Sequence, residues 1–469
     1  MNYIPVIGLE IHAELMTKTK VFCGCANTFG SERNSNCCPV CLGMPGALPV
    51  LNRRAVELTI SAGLLCGCRI SHLTLWDRKN YFYPDLTKAY QISQLYAPLC
   101  LGGGLEINGR FIRLNRIHLE EDAGKLIHER NVSILDYNRA GVPLIEIVTE
   151  PDIRSADEAV AFVERMRRNL VYGDICDGKM EQGSLRVDAN ISVMPEGSDV
   201  YGTRAEIKNI NSFRFIKRAI EFEIKRQIGA LENNGRVTQE TRRYDAASDE
   251  TFSMRSKEDA HDYRYFPDPD ILPLFMSDED ITGIKGKLPE PPHSRFLRYT
   301  DAYGLSVKDA ETILSERFMS DFFDAAVKIG ADPKAASNAV RGELLRCVRE
   351  AGSDEIPVSV SDFTKALALA AKNEITQEGL KTALSYMFFN HVDLETAVKA
   401  NNLLISEDFE LIGAVITEIL AASPDIVSKY KDGNSKVFSY LFGQCMKRLK
   451  GKALPATINA ELIKGLNEI

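Results

Sequence analysis

Polar and apolar residues alternate along five segments in the first 293 residues of the chain. The segments are 6–15, 112–122, 144–150, 185–193 and 203–210. Side chains two residues apart share one face of a β-strand, so each segment predicts a strand with one apolar and one polar face. A sheet built from such strands is mainly antiparallel and buries its apolar side. Helices are expected beside it near 53–66, 155–172 and 212–232.

The segment Leu288–His293, which contains three prolines, ends this strand-rich region. Proline lacks the backbone N–H that helices and central strands need, so we interpret the segment as a linker. Beyond it, helix-start signals such as Ser306 and Asp332 predict an all-α region, divided again near 401–406 or near 423–435. We therefore predict a multidomain α+β protein with domains at 1–293, 294–404 and 405–469.

The composition restricts the classes of function. A formal net charge of −8 disfavours coating of nucleic acid, although a local basic patch can still bind phosphates. No apolar run approaches the ~20 residues of a membrane helix. The N-terminus resembles neither a signal peptide nor a transit peptide. We therefore expect a cytoplasmic protein, whose 11 cysteines are free thiols or metal ligands.

The polar face of the first predicted strand carries two carboxylates and one imidazole, those of Glu10, His12 and Glu14. Glu146 stands inside an otherwise apolar run, where a carboxylate is costly unless it is paired or bound to a cation. Mg²⁺ prefers carboxylate oxygens together with water and substrate phosphates. A metal–phosphate site is one interpretation, with the candidate ligands Glu10, His12, Glu121 and Glu146. An ordinary solvated sheet surface explains the same pattern about equally well.

Residues 76–91 interleave basic side chains with aromatic ones. This pattern suits a phosphate and a stacked base. A buried aromatic turn with solvated charges is the alternative. The sequence contains neither GxxxxGKS nor GxxxxGKT, so a nucleotide bound here is not held by a P-loop.

Two short-spaced cysteine pairs, Cys23/Cys25 and Cys38/Cys41, follow the first predicted strand. Thiolates spaced in this way can surround a tetrahedral Zn²⁺ without backbone strain. Such a site is structural, because four protein ligands leave no open position on the metal. Two unrelated pairs of free thiols are the alternative, and the adjacent Cys37 leaves the fourth ligand ambiguous.

Long blocks of the sequence resemble one family of translation enzymes. The blocks are VIGLEIHAEL, FCGC…CPVCLGMPGALPVLN, DRKNYFYPD, KAYQISQ, HLEEDAGK, GVPLIEIVTEPDI, MEQGSLRVDANIS and DYRYFPDPDILPL. In this order they are similar to the B subunits of the aspartyl/glutamyl-tRNA amidotransferases. The resemblance implies an N-terminal cradle domain, a helical domain and a YqeY-like helical tail.

The resemblance also implies a reaction and partners. In that family the B subunit works in a heterotrimer with a glutaminase, which is the A subunit, and with a small C subunit. It binds misacylated Glu-tRNA(Gln), Asp-tRNA(Asn) or both, activates the side-chain carboxylate with ATP and Mg²⁺, and lets ammonia displace phosphate. The chain contains no Gly-Gly-Ser-Ser block of an amidase-type glutaminase, which agrees with an ammonia source in a partner.

By motif, the resemblance assigns roles to individual residues. The family's Mg²⁺-binding kinase site falls on Glu10, His12, Glu121 and Glu146. Its zinc site, present in only some members, falls on Cys23, Cys25, Cys38 and Cys41. Lys79 falls near the phosphates of ATP. Arg186 and Asp188 are predicted to contact the nucleotide or to line the ammonia path, with a plain sheet surface as the alternative.

The C-terminal region predicts an amphipathic helix that ends among basic residues. These residues are Lys447, Arg448, Lys450 and Lys452. The family context favours their contact with the tRNA backbone, whereas a solvated helix face or pairing with the helix dipole is the structural alternative.

A non-catalytic, zinc-stabilised tRNA-docking scaffold is the competing interpretation of the whole chain. The carboxylates of Glu10, Glu121 and Glu146 favour the enzyme, because docking requires none of them.

Overall fold

The structure, a computed structural model, describes residues 2–256, 262–405, 409–431, 436–449 and 453–468. The chain divides into two compact units, Met1–Pro292 and His293–Ile469. Within the described ranges, no single helix is long and apolar enough to cross a membrane. Phe409–Ala421 and Pro424–Tyr430 meet that test of length and composition only as a pair, bent by 93° at the break between them.

The first unit is built on a large sheet. The strands of this unit are β1 Tyr3–Glu14, β2 Arg69–Ile70, β3 Leu73–Thr74, β4 Asp77–Asn80, β5 Tyr90–Ser93, β6 Cys100–Leu101, β7 Gly104–Ile107, β8 Arg110–Glu121, β9 Lys125–Glu129, β10 Val132–Asp136, β11 Pro143–Thr149, β12 Leu185–Pro195, β13 Ala205–Ile210, β14 Glu240–Asp245, β15 Glu250–Ser256, β16 Phe266–Pro267 and β17 Leu274–Phe275. The large sheet has the order β15-β14-β13-β12-β1-β11-β8-β6-β2, and β7 pairs with β8. Smaller sheets have the orders β16-β4-β5, β10-β9 and β17-β3.

The central strands expose opposite chemistry on their two faces. Ile11, Ile147 and Ile117 lie opposite one another on β1, β11 and β8, and all three are fully buried. Phe162 and Ile216 from the neighbouring helices belong to the same hydrophobic core. The other face of these strands carries the charged residues, so the helices leave the polar side of the sheet available for a functional site.

The helices of the first unit begin where the sequence provides capping side chains. They are α1 Arg53–Leu65, α2 Ala156–Tyr172, α3 Phe213–Glu232 and α4 Asp278–Lys285. The side chains of Asn52, Ser155 and Ser212 accept hydrogen bonds from backbone N–H groups in the first turns of α1, α2 and α3. These three are the helices that the periodicity predicts.

The second unit is helical among its described residues. Its helices are α5 Pro292–Leu297, α6 Val307–Leu314, α7 Arg317–Lys328, α8 Pro333–Ala339, α9 Leu345–Ala351, α10 Val360–Ala371, α11 Gln377–Asn390, α12 Leu394–Ala400, α13 Phe409–Ala421, α14 Pro424–Lys431, α15 Lys436–Leu449 and α16 Pro455–Glu468, and α5 begins at the unit boundary. Arg298–Ala302 and Val340–Leu344 form π-helical turns. Ile416, Leu441 and Leu462 belong to a hydrophobic cluster shared by α13, α15 and α16.

The predicted fold class, a strand-rich domain followed by helices, is confirmed. The sheet is mainly antiparallel, as expected, although β13 and β14 pair in parallel. The boundaries at 293/294 and 404/405 stay predictions.

Candidate functional site

A row of three side chains crosses the polar face of the central strands. Glu146 on β11 lies opposite His12 on β1 and opposite His118 on β8. Its Oε2 atom is 3.6 Å from Nε2 of His12 and 3.6 Å from Nε2 of His118. Glu146 is thus held between two imidazoles.

Glu120 of β8 completes this group. Its Oε1 is 3.9 Å from Nε2 of His12, and its Oε2 is 3.7 Å from Nε2 of His118. Ser93 of β5 donates a hydrogen bond of 3.1 Å to the same Oε2. One donor atom each from His12, Glu120 and Glu146 lies within 4.8 Å of the others. We call these three residues the His12 cluster.

Glu121 lies apart from the His12 cluster. Consecutive residues of a strand point to opposite faces, so only one of Glu120 and Glu121 can face Glu146. The carboxylate of Glu121 pairs with Nζ of Lys88 at 2.5 Å and accepts a hydrogen bond from the backbone N–H of Ile92 at 2.9 Å. Where the sequence predicts Glu121 as a magnesium ligand, the structure therefore brings Glu120 to the cluster.

The electrostatics of the His12 cluster favour a carboxylate and an imidazolium in close contact. Burial raises the pKa of Glu146, but the imidazoles of His118 and His12 outweigh that effect, so its pKa is lowered overall. Burial lowers the pKa of His12, whereas its interactions with Glu146 and Glu120 raise it by more. Glu146 therefore stays ionised and is able to bind a cation.

Lys79 of β4 approaches the His12 cluster among aromatic rings. Its Nζ lies 5.0 Å from the ring centre of Tyr263 and 5.9 Å from that of Tyr81. Burial opposes its positive charge, but the nearby Glu120 and Glu146 raise the pKa of Lys79 overall. The ammonium group is charged and close to the cluster, as an anion-binding lysine must be.

Glu10 belongs to a second acidic group on the same face. Single carboxylate oxygens of Glu10, Asp188 and Glu206 lie within 4.8 Å of one another. Nζ of Lys208 pairs with Asp188 and with Glu206, at 2.8 Å in each case. Asn190 donates a hydrogen bond of 2.9 Å to Glu10. The structure thus places Glu10 in a neighbouring acidic group, where burial and the charge of Glu146 raise its pKa, and gives the predicted Asp188 a cationic partner.

Arg186 lies beside a pocket of about 460 Å³, next to Glu14. Its Nη2 donates a hydrogen bond of 2.7 Å to Asp122. Burial, together with the charge of Asp122, raises the pKa of Glu14 to about 7. The pocket is also lined by residues 27–31 from the loop that follows β1.

The four predicted cysteines come together in that loop. One Sγ atom each from Cys23, Cys25, Cys38 and Cys41 lies within 4.8 Å of the others. The backbone N–H of Cys38 donates to Sγ of Cys41 at 3.1 Å, which stabilises a thiolate there. Sγ of Cys37 instead lies 3.9 Å from Oδ1 of Asn138. Four converging thiols fit a tetrahedral zinc ion.

The basic residues at the C-terminus are only partly described. Lys447 and Arg448 lie in the last turn of α15, and Arg448 pairs with Glu418 of α13 at 2.5 Å. The other two predicted tRNA contacts, Lys450 and Lys452, lie outside the described residues.

Sequence reasoning missed Glu120, His118, Glu206 and Lys208 as members of these groups. Alternation carries a signal for two of them, because His118 and Glu120 share a face in the HLEED block. No local pattern indicates that Glu206 and Lys208 meet Asp188, because that contact depends on the pairing of β12 with β13.

Comparison with known proteins gives the class and then the family. A family model described as the GatB/GatE catalytic domain matches residues 5–282, and one described as the GatB domain matches residues 321–466. The B subunit of the aspartyl/glutamyl-tRNA(Asn/Gln) amidotransferase of Geobacter sulfurreducens is 50% identical, over 99% of this chain and 100% of its own. Proteins of the same name from Ruminiclostridium cellulolyticum and Thermodesulfovibrio yellowstonii are 48% and 47% identical, each over 100% of this chain and over 98% and 100% of their own. The chain belongs to the family of aspartyl/glutamyl-tRNA(Asn/Gln) amidotransferase B subunits, as its resemblance predicts.

Proposed function

We propose that this chain is the B subunit of a glutamine-hydrolysing, tRNA-dependent amidotransferase. It converts misacylated Glu-tRNA(Gln), Asp-tRNA(Asn) or both into Gln-tRNA(Gln) and Asn-tRNA(Asn). The side-chain carboxylate is activated with ATP, and ammonia comes from the glutaminase, the A subunit of a heterotrimer that includes the C subunit. The observation that carries the proposal is the His12 cluster, two carboxylates and one imidazole that are buried or half-buried, within a full-length sequence match to the family.

The His12 cluster has the donor set for a divalent cation. Carboxylate oxygens from Glu120 and Glu146 suit Mg²⁺, which in proteins usually keeps water and substrate phosphate oxygens in its remaining positions. A cation bound there would offset the negative charges of a nucleotide and of a substrate carboxylate. Lys79 would attract and orient the phosphates from the side of β4.

The remaining predicted residues lie around that cluster. Glu10 and Asp188 form the second acidic group with Lys208, and Arg186 borders the pocket. We propose that the pocket beside Arg186 receives part of a polar substrate, because charged and amide side chains line it. The ion pair of Glu121 and Lys88 would support the site from the opposite face of β8.

A docking scaffold without chemistry is less well supported. Buried carboxylates cost stability unless they are paired or bound to a cation, and binding of a tRNA backbone calls for basic residues instead. The face that carries Glu120, Glu146, Glu10, Asp188 and Glu206 is acidic at its centre.

Zinc is the second proposed metal. Cys23, Cys25, Cys38 and Cys41 would bind it with thiolates only, which leaves no position for substrate and makes the ion structural. A cytoplasmic location belongs to the proposal as well, because the substrates are the charged tRNAs of translation.

The experiment compares Glu120→Gln and Glu146→Gln with Glu121→Gln in the complete complex. The first two variants should lose tRNA-dependent ATP hydrolysis by about 100-fold or more while tRNA binding is retained, because each removes a ligand charge. Glu121→Gln should chiefly lower thermal stability, because it leaves the charge of Lys88 without its partner. Turnover like that of the wild type in the first two variants would contradict the proposed site.

A further inference from the structure

His12 and His118 each place Nε2 at 3.6 Å from Oε2 of Glu146, but the two rings differ in the partner of Nδ1. We propose that His118, which lies outside the predicted set of metal ligands, is a positioning residue that orients Glu120 and Glu146 through its Nε2–H. This inference rests on the proposed metal site and assigns a task to a residue outside it.

Arg116 fixes the hydrogen positions of His118. Nε of Arg116 donates a hydrogen bond of 3.3 Å to Nδ1 of His118. A guanidinium group can only donate, so Nδ1 must present its lone pair. The proton of the ring is then on Nε2, and Nε2 has no lone pair left for a metal.

The Nε2–H of His118 points at the two carboxylates of the His12 cluster. Nε2 is 3.6 Å from Oε2 of Glu146 and 3.7 Å from Oε2 of Glu120. The ring is buried, with 3% of the side chain exposed, so water does not compete for this position. One N–H between two like-charged carboxylates reduces their repulsion without adding a full positive charge that would compete with a cation.

His12 differs from His118 in the partner of its Nδ1 and in its place among the donor atoms of the cluster. Its Nε2 faces the same carboxylates from the side of β1, at 3.6 and 3.9 Å. In the described part of the chain, no arginine engages the Nδ1 of His12 as Arg116 engages that of His118. An arginine therefore does not fix the tautomer of His12, and its Nε2 belongs to the group of donor atoms within 4.8 Å of one another, which does not include His118.

Hydrogen bonds to ligating carboxylates are part of a metal site. They hold the ligand oxygens in the geometry that the ion requires, and their loss typically lowers metal affinity by about 10- to 100-fold. The Nε2 of His118, 3.6 Å from Glu146 and 3.7 Å from Glu120, is placed to give this support from the side of β8.

The test measures binding of Mn²⁺ alone, by electron paramagnetic resonance, to the full chain. His118→Leu should weaken binding about 10- to 100-fold. His118→Gln, whose amide N–H can occupy the place of the Nε2–H, should stay within about threefold of the wild type. His12→Leu should abolish binding at the cluster, because it removes a ligand. The matched control is His128→Leu on β9, an exposed histidine whose Nδ1 contacts Ser133.

Each outcome is decisive. Equal Mn²⁺ affinities for His118→Leu and His128→Leu would overturn the positioning role while the metal site stands. A His118→Gln variant as weak as His118→Leu would overturn it too, because the rescue depends on the N–H alone. A wild-type chain that binds no Mn²⁺ would overturn both this inference and the proposed metal site. Thermal unfolding without metal identifies a variant that merely fails to fold, and His118→Gln then decides.

Discussion

At the scale of single residues, the charges around the candidate site are arranged in ion pairs whose carboxylates are largely shielded from water. Lys88 pairs with Glu121, Lys208 with Asp188, and Arg186 with Asp122. Removing one member of a buried pair costs about 3–5 kcal/mol, because the other charge remains in a poorly solvated position, and this applies to Lys88 and Glu121, which are 12% and 5% exposed. The other two pairs contribute less, because the side chains of Lys208 and Arg186 are 40% and 35% exposed. Single substitutions here therefore mix effects on stability with effects on chemistry, and each activity assay needs a matching measurement of unfolding.

Asp152 offers a test of such a pair away from the candidate site. Its carboxylate accepts hydrogen bonds from Nε and Nη2 of Arg113, at 2.8 and 2.7 Å. The bonds from Arg113 lower the pKa of Asp152 below its usual 3.8. Because Arg113 is largely exposed, we expect Asp152→Asn to lower the free energy of unfolding near pH 7 by only about 1 kcal/mol.

The pH dependence of this effect has a definite sign. The folded state binds the proton of Asp152 less tightly than the unfolded state does, so the stabilisation is complete above the usual pKa. It is lost as the pH falls through 3.8 towards the folded-state value. Urea unfolding from about pH 7 down to about pH 3 should show the difference between wild type and variant shrink towards the acid end. The control, Asp199→Asn, changes an exposed carboxylate; a difference that persists at low pH would contradict the assignment.

At the scale of elements, the alternation of polar and apolar residues predicts where the strands lie, but it does not predict which strands pair with one another. The segments 6–15, 144–150 and 185–193 correspond to β1, β11 and β12, because one face of each is apolar over most of its length. The sequence also places Glu10 and His12 on one face, as observed. It does not separate them into different acidic groups, since that depends on which strand lies on each side of β1.

At the end of β8, the sequence pattern does not decide whether Glu120 or Glu121 faces Glu146. Both are buried carboxylates, and the strand phase that decides between them is fixed by the register of Glu146 with His118, which is a contact between distant segments. The loop that contains Cys23, Cys25, Cys38 and Cys41, here called the cysteine loop, could be predicted from the sequence alone. Its four ligands are close in sequence, so the spacing alone identifies them.

Zinc binding by the cysteine loop can be tested by substitution of single cysteines. Cys41→Ser should release zinc from the purified chain and lower its stability by about 2 kcal/mol or more, because a structural zinc ion contributes its binding energy to folding. Cys37→Ser is the matched control, since Cys37 lies next to the ligands in sequence and contacts Asn138 instead. Metal analysis and thermal unfolding measure both. A wild-type chain without zinc, or a Cys37→Ser variant that loses it, would contradict the assignment.

At the scale of the whole molecule, long-range pairings are what sequence patterns leave undetermined. Phe266 of β16 pairs with Arg78 of β4, although neither short strand shows a periodic signal. The parallel pairing of β13 with β14 likewise follows from the path of α3 between them. Composition and helix-start signals, by contrast, predict the change from sheet to helix near residue 293, because they are local properties.

The basic residues at the C-terminus, here called the tail, are predicted to bind tRNA in the assembled complex. We expect Lys447→Gln, combined with neutral residues at 450 and 452, to weaken tRNA binding and to make its salt dependence shallower. Each lost phosphate contact lowers the slope by up to about 0.9. Arg448 is left unchanged because it pairs with Glu418, so its loss would also affect stability. Binding is measured over a salt series.

The matched control for the tail is Lys381→Gln, which removes an exposed lysine of α11. It should leave the slope unchanged. If the tail variant keeps the slope of the wild type and only unfolds more easily, the basic residues complement the helix dipole instead of binding tRNA.

The position of β1 in the sheet has a consequence for biosynthesis. This strand is synthesised well before its two partners, β11 and β12, which begin at residues 143 and 185. At about 5–20 residues per second, roughly ten seconds of translation separate its appearance from that of its first neighbour. During that interval an apolar strand with two open edges is exposed to other chains. The nascent polypeptide must therefore be shielded until both partners have been made, and the same order of events delays closure of the centre of the sheet.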